Sequence, residues 1–212
     1  MSTGIRSLGE AGTRPATEPR ASRTLHTMTD ALLRLLEREE LTGISVSQLC
    51  REAGVHRTTF YGHYSSVTEL ATDIFVRVID GIATIEFFEP DEEVTPGAAS
   101  AEYLASLEHI LAHVADHRAV YRSLFHADLG SGFRHALTDR LRHRVEIAMR
   151  LWQRHGIADN LDVQTAAAYI AGCLVAAIES WTSSTKVDSS AHAHEIMLLM
   201  PAWWPAATAT RA

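Results

Sequence analysis

Apolar side chains recur with the period of an α-helix from about residue 23 onward. The first stripe consists of residues spaced three or four apart, with one adjacent pair at its end: Leu25, Met28, Leu32, Leu35 and Leu36. Residues at these spacings share one face of a helix. The pattern therefore predicts a first helix that begins at about Arg23, with Gly43 as the stop signal.

A short second helix is predicted directly after this stop. Ser45 and Gln48 have the spacing of a capping box, in which the serine is the N-cap and the residue three positions later completes the motif. The helix then runs over 46–53, with its apolar residues facing inward. Gly54 and Val55 predict a tight turn after it.

Two further helices follow this turn. The third is predicted from about Arg57 to His63, with Phe60 facing inward, and Ser65, Ser66 and Glu69 form the start signal of the fourth. Acidic residues, proline and glycine over 89–100 predict a surface loop. Five more helical segments are expected at about 100–115, 117–127, 131–154, 162–183 and 190–203. The chain is thus predicted to be all-α with about nine helices, a three-helix head and a larger helical body.

The first 22 residues differ in composition from the rest of the chain. They are rich in Ser, Thr, Gly, Pro, Ala and Arg and have almost no large apolar side chains, so they predict a flexible arm. Its arginines Arg6, Arg14 and Arg20 leave open an additional contact with DNA. The arm has no apolar region of the kind found in signal peptides, and no apolar run approaches the roughly 20 residues of a membrane span, which predicts a cytoplasmic protein without a membrane partner.

The charge is unevenly distributed. The chain carries a formal net charge of −7, but residues 1–64 hold eight arginines and seven acids, so the acidic excess lies after the predicted head. The charge of the head is therefore compatible with binding to nucleic acid, although the negative net charge of the whole chain lowers nonspecific affinity for DNA. The two cysteines, Cys50 and Cys173, lie in apolar helical patterns and are read as core residues, with a single disulfide left open.

Two short helices joined by a glycine-containing turn predict a helix-turn-helix. In such a unit the second helix of the pair enters the major groove, and its N-terminal residues reach base edges. Arginine can bind a guanine edge and threonine can offer a hydroxyl or a methyl group to a base, while tyrosine and histidine suit phosphate contacts. The candidate DNA contacts are Ser45, His56, Arg57, Thr58, Thr59, Tyr61, His63 and Tyr64.

The stretch SVSQLCREAGVHRTTFYGHYSSVTEL resembles the DNA-binding signature of the TetR family of bacterial transcriptional regulators. The resemblance covers roughly residues 24–80 and includes Thr59-Phe60-Tyr61 and the aromatic Tyr64. It implies a homodimer that binds a palindromic double-stranded DNA operator, usually as a repressor, and releases it when a small molecule enters the C-terminal body. It also implies that Thr59 and Tyr61 are recurring contact positions, and it sets domains at 1–22 (arm), 23–68 (helix-turn-helix) and 69–212 (ligand binding and dimerisation).

Two residues depart from the family pattern. Gly62 stands where the family usually has a larger side chain, and a glycine costs a helix about 1 kcal/mol relative to alanine, so the third helix is expected to fray or end there. Val67 stands where a lysine commonly meets a phosphate, so that contact is expected to be absent. A plain three-helix subdomain that does not touch DNA is the alternative for this region.

The predicted body holds candidates for a pocket and for a dimer interface. Aromatic residues at helical spacing could line an effector pocket or simply form the core: Phe75, Phe87, Tyr103, Tyr121, Phe125, Phe133, Trp152 and Tyr169. Small residues over 161–181 and an apolar final helix predict that two helices of each subunit form a four-helix dimer interface, with a monomeric core as the alternative. The candidate interface residues are Ala168, Gly172, Ala176, Met197, Met200 and Trp203.

Metal and enzyme functions are weighed against the regulator. His109, His113 and His117 recur every four residues, but the apolar stripe of their segment places the first two opposite the core, so the row is read as a solvated face with metal regulation as an alternative. The chain has no G-x-S-x-G, Walker, H-E-x-x-H or C-x-x-C motif. We therefore expect a protein that is not an enzyme and that uses no cofactor. A DNA-binding regulator without a small-molecule effector also remains open.

Overall fold

The computed structural model describes residues 20–83, 95–126, 130–185 and 188–204. Within these ranges the chain forms nine α-helices, one short 3-10 helix and no strands. The helices are α1 (Arg20–Leu36), α2 (Val46–Ala53), α3 (Arg57–Tyr61), α4 (Val67–Ile82), α5 (Pro96–Asp116), α6 (Arg118–His126), α7 (Gly130–Arg154), α8 (Val163–Thr182) and α9 (Ser189–Leu198), and the 3-10 helix is Leu41–Gly43. The predicted all-α fold with about nine helices is confirmed.

Several helix boundaries differ from the sequence prediction. α1 begins at Arg20, inside the segment predicted as a flexible arm, and ends at Leu36, before the predicted stop at Gly43. α3 ends at Tyr61 with Gly62 as its C-cap, which confirms that the glycine terminates this helix. α5 begins at Pro96, inside the segment read as a loop, because Thr95 accepts a hydrogen bond from the backbone N–H of Ala98 and proline is favoured in a first helical turn. α9 ends at Leu198 rather than near residue 203.

The head consists of α1, α2, α3 and the 3-10 helix. Gly54 has φ +67°, a left-handed conformation that glycine adopts without steric cost, so the chain turns sharply between α2 and α3. Ser45 caps α2 by accepting a hydrogen bond from the backbone N–H of Gln48, whereas the Gln48 side chain binds Glu39 and does not close the reciprocal capping box. Phe60 of α3 is fully buried, as predicted, and fixes α3 against its neighbours.

Helix α4 connects the head to the body, which we define as α5 to α9. It contacts α1 and the 3-10 helix on the head side, and α5, α6 and α7 on the body side. The boundary proposed at residue 68 therefore falls in the first turn of this helix. Ion pairs between Asp80 on α4 and Arg144 on α7 join the two parts.

Helices α7 and α8 form the most extensive pair among the described helices. α8 has 20 residues and a mean hydropathy of 1.4 over its most apolar window, so by length and composition it reaches the size of a membrane span, contrary to the prediction that no segment does. Ala167, Ile170 and Leu174 on one of its faces are buried against the body. The same length and composition are found in core helices, and this face of α8 is part of the core.

Candidate nucleic-acid interface and interior cavity

Helix α3 presents a polar surface to solvent. The exposed residues among the predicted DNA contacts are Ser45, His56, Arg57, Thr58, Tyr61 and His63, while Thr59 and Tyr64 are partly buried. Phe60 points to the other side and is buried, so the five-residue helix divides cleanly into a core side and a free side. The first turn of α3 also presents backbone N–H groups, which favour a phosphate.

Arg57 folds across the turn toward α2. Its guanidinium donates a hydrogen bond to the hydroxyl of Ser47, so the two helices of the motif are linked at their solvent side. Cys50 lies below this contact. Burial raises the pKa of the Cys50 thiol, and the nearby positive charge of Arg57 opposes part of this rise. Arg57 is therefore held at the exposed surface that α2 and α3 share.

Tyr64 lies behind α3 rather than on its free side. Its hydroxyl donates a hydrogen bond to Oδ2 of Asp73 on α4 at 2.6 Å, and its ring lies 6.2 Å from that of Phe60. Burial and the Asp73 carboxylate raise the pKa of this phenol. Val67, at the position where the resembling family commonly has a lysine, is buried. Neither side chain is placed as an open phosphate contact in this conformation.

An interior cavity lies at the C-terminal end of α4, and the space inside it amounts to about 40 Å³. Its wall comes from the end of α4 and from α5, α7, α8 and the region of α9. The lining residues are Ala83, Tyr103, Ser106, Leu107, Ile110, Leu141, Arg144, Val145, Leu174, Met197 and Met200. The wall is thus mostly apolar with a few polar groups, which is the composition of small-molecule sites.

Most aromatic residues proposed for an effector pocket lie elsewhere. Of that set only Tyr103 lines the cavity, and burial raises the pKa of its hydroxyl. The other six described residues lie elsewhere. Phe75, Tyr121, Phe125, Phe133 and Trp152 are buried in the core, whereas Tyr169 is exposed at the surface. Trp152 packs on Tyr103 with ring centroids 5.4 Å apart, so it stands one layer behind the cavity. Phe87 lies outside the described residues.

Most residues of the cavity wall were not among the sequence candidates, and Arg144 is the charged one among them. A signal for it exists, because Arg144 lies beside the apolar stripe of α7 formed by Leu141, Val145 and Ala148, where a charged residue is unusual. Its Nε donates to Oδ1 of Asp80 at 2.9 Å, and a terminal nitrogen donates to the Asp80 carbonyl at 3.0 Å.

The histidine row on α5 faces solvent only in part: the prediction is confirmed for His109 and wrong for His113. His109 is exposed, but His113 is partly buried, and its Nε2 is buried without a hydrogen-bond partner in the structure. The ring of His113 lies 6.2 Å from Phe75 and 4.6 Å from His117. The prediction failed because α5 packs between α9 on one side and α4 and α6 on the other, so its buried surface is wider than one apolar stripe. Among the described residues no group of three or more His, Cys, Asp or Glu could hold a metal ion.

Two apolar surfaces of the body remain open to solvent. On α8, Ala168, Gly172 and Ala176 are exposed together with Tyr169 and Cys173. At the end of α9, Leu198 and Leu199 are 85% and 80% exposed. The other candidate interface residues, Met197, Met200 and Trp203, are partly buried and pack on the core. Cys50 is buried, as predicted, whereas Cys173 is exposed and is not the core residue that was predicted. Both are free thiols, so the disulfide left open is not formed.

Head, connecting helix and helical body together define an all-α class of protein with a helix-turn-helix at one end. Solved structures with this architecture include a TetR-family transcriptional regulator from Syntrophomonas wolfei, which is 13% identical, with a TM-score of 0.60 over 85% of this chain and 94% of that one. RolR in complex with resorcinol is 16% identical, with a TM-score of 0.59 over 85% and 89% of the two chains. The TetR-family repressor AlkX from Dietzia is 20% identical, with a TM-score of 0.54 over 82% and 95%.

These likenesses show that the chain has the fold of the TetR-family regulators. No family model matches the chain. No curated protein matches it either.

Proposed function

We propose that the chain is a sequence-specific DNA-binding transcriptional regulator that works as a homodimer in the cytoplasm. The observation that carries this proposal is the geometry of α3, which buries Phe60 and leaves Arg57, Thr58, Tyr61 and His63 free on one polar side after a left-handed glycine turn. The fold that the chain shares with TetR-family regulators supports the same function. In this proposal the chain is not an enzyme and needs no cofactor.

Each α3 helix would enter the major groove of one half of a palindromic operator. Arg57, Thr58 and Thr59 would read base edges from the first turn, and Tyr61, His63 and Ser45 would bind phosphates. Two-fold symmetry would place the half-sites one helical turn apart, about 34–36 Å. Because α4 carries the head, a change in the body that moves α4 would alter the separation of the two heads and release the operator.

The second copy would cover the open apolar surfaces of the body. Ala168, Gly172 and Ala176 of α8 would allow close approach of the partner's α8, and Leu198 and Leu199 would leave water on assembly. Two helices from each subunit would then form the interface. Met197, Met200 and Trp203 would support this interface from below rather than touch the partner.

The cavity supports a ligand-responsive repressor of the kind suggested by RolR, whose structure holds resorcinol. Its small volume favours a second candidate, a regulator without a small-molecule effector. About 40 Å³ holds a few water molecules, whereas ligand sites usually span about 300–1,000 Å³. The two candidates differ in whether the body opens, and the binding of ligands to the cavity separates them.

The proposal is tested by titrating the purified protein against its own upstream DNA at two salt concentrations, beside a scrambled duplex. Tight and salt-sensitive binding to the native fragment alone is the expected result, because neutralised phosphates release counterions. Arg57→Ala should weaken this binding by about 1–3 kcal/mol and relax discrimination at one base pair. Arg150→Ala, in the second half of α7, is the matched control and should leave the affinity unchanged. A well-folded dimer that binds neither duplex at either salt concentration would contradict the proposal.

A further inference from the structure

We propose that the cavity at the end of α4 binds an amphiphilic molecule with an apolar chain and a single carboxylate, and that this carboxylate takes Arg144 from Asp80. The inference deepens the proposed function, on which it rests, by naming the chemical class of the effector. It stands on three observations: the composition of the wall, the ion-pair geometry around Asp80, and the position of both at the end of α4.

The wall selects for an apolar chain. Leucine, isoleucine, valine and methionine side chains from four helices and the segment after α9 form most of it. Among the described residues of the wall, Arg144 is the only formally charged side chain, and Ser106 and Tyr103 supply hydroxyl groups. An apolar molecule that carries one anionic group matches this arrangement, because its chain leaves water while its charge meets the guanidinium. A protonated amine would be repelled by the positive charge of Arg144, and an alcohol could not form an ion pair with it.

The ion pairs around Asp80 allow the guanidinium to change partner. Asp80 lies between two arginines: Arg144 at 2.9 Å from Oδ1 and Arg140 at 3.9 Å from Oδ2. Two guanidinium groups here lie beside one carboxylate, so a bound carboxylate would enter a site that already holds positive charge. When Arg144 turns to the ligand, Arg140 remains beside Asp80, and the aspartate is not left as a buried charge without a counterion.

The exchange acts directly on the end of α4. Arg144 donates to the backbone carbonyl of Asp80, and the Ser106 hydroxyl lies 3.5 Å from the carbonyl of Ile82, so both groups meet the last turn of α4. Carbonyls at a helix C-terminus lack partners within the helix and attract positive charge. Loss of Arg144 from this turn would free the body end of the helix that carries the head.

The small volume of the cavity is compatible with such a ligand because one side of its wall is adaptable. Met197 lies in the last turn of α9 and Met200 just after it. Methionine has three rotatable bonds and repacks readily around a guest. The wall also carries a natural probe, because the ring centroid of Tyr103 lies 4.4 Å from that of Trp204 and 5.4 Å from that of Trp152. Entry of a chain against Tyr103 should therefore change the tryptophan fluorescence.

The experiment compares octanoate, octanol and octylamine, each added as the monomer to the full chain. Binding is followed by tryptophan fluorescence and by isothermal calorimetry. We expect octanoate to bind at least about tenfold more tightly than octanol, and octylamine no more tightly than octanol. Equal affinities for the three compounds, or no binding of octanoate, would overturn the proposal.

Variants assign the effect to the ion pair. Arg144→Met should weaken octanoate binding about tenfold or more and leave octanol unaffected, while Arg142→Met, exposed on the same helix, is the matched control. Asp80→Asn should tighten octanoate binding several-fold, because it removes the competing carboxylate. A purely structural role of the pair cannot produce this gain, so unchanged or weaker binding in a folded Asp80→Asn protein would also overturn the proposal.

A DNA titration with and without octanoate distinguishes this inference from the function on which it rests. Octanoate should lower the affinity of the wild-type protein for its operator and have less effect on Arg144→Met. Operator binding that ignores octanoate would refute the effector class and leave the DNA-binding function standing. Octanoate binding by a protein that binds no DNA would refute the regulator and leave the carboxylate site standing.

Discussion

Tyr64→Phe separates a structural tyrosine from a DNA-binding one. The substitution keeps the ring that packs near Phe60 and removes only the hydroxyl that donates to Asp73 at 2.6 Å. A hydrogen bond to a charged acceptor contributes about 1.5–3 kcal/mol. The Asp73 side chain is 29% exposed and keeps Arg77 at 2.8 Å, so water and the arginine replace part of the loss. We therefore expect the free energy of unfolding to fall by about 1 kcal/mol.

The assay measures urea unfolding and operator affinity on the same preparations. Tyr64→Phe should lower stability while the dissociation constant for the operator stays within about twofold of wild type. Tyr61→Phe is the matched control, because Tyr61 is 57% exposed on the free side of α3. It should leave stability within about 0.5 kcal/mol and weaken operator binding by about 0.5–1.5 kcal/mol, the contribution of one hydrogen bond.

The reverse pattern would refute the reasoning. A Tyr64→Phe protein of unchanged stability that binds the operator as poorly as Tyr61→Phe would mean that the Tyr64 hydroxyl leaves Asp73 for a phosphate when DNA is bound. Loss of both properties in Tyr64→Phe would mean that the link between α3 and α4 sets the position of the recognition helix.

Three further predictions follow. Gly172→Leu should turn the proposed dimer into a monomer in sedimentation experiments without loss of stability, since a Cβ at this position meets no atom within 4 Å beyond its own helix backbone and chain neighbours. Gly132→Leu, equally open, is the control that should stay dimeric. Burial, aided by the His117 charge, lowers the pKa of His113 to about 4, so the unfolded chain takes up a proton below pH 6.5 that the folded chain does not. Stability should therefore fall by about 1 kcal/mol from pH 7 to pH 5, after allowing for solvent around the ring, and His113→Leu should lose this slope in urea titrations; an equal slope in the variant would exclude His113 as its source. Gly62→Ala should raise the melting temperature, because Gly62 has φ −72° and alanine fits there; a lower melting temperature would show that the end of α3 requires glycine.

The head could be read from the sequence because short-range rules decide it. The serine before Val46, the left-handed glycine after Ala53 and the buried Phe60 each act within a few residues of their own position. Capping, turn conformation and helical period therefore predict where α2 begins and ends and where α3 begins.

The burial of individual side chains in the body could not be predicted in the same way, because it depends on which faces of its helices are covered by other helices. His113 was placed in solvent, yet α5 is covered on two sides. Cys173 was placed in the core, yet its face of α8 is open. Arg144 became part of a cavity only because the end of α4 meets α7 there. Asp80 and Arg144 lie 64 residues apart in the chain, and no local pattern specifies such a pairing.

Helix α4 has a consequence for chimeric regulators. It begins at Val67, contacts the head through α1 and the 3-10 helix, and carries Asp80 in its last turn, beside the cavity that Ala83 lines. A genetic junction at residue 68 would place a foreign helix beneath the donor's head and lose the packing that orients it. A junction after Ile82 would keep the head intact but would bring along the donor's aspartate to face the recipient's arginine. Exchange of DNA specificity between such proteins therefore requires that the arginine–aspartate pair match as well as the recognition helix.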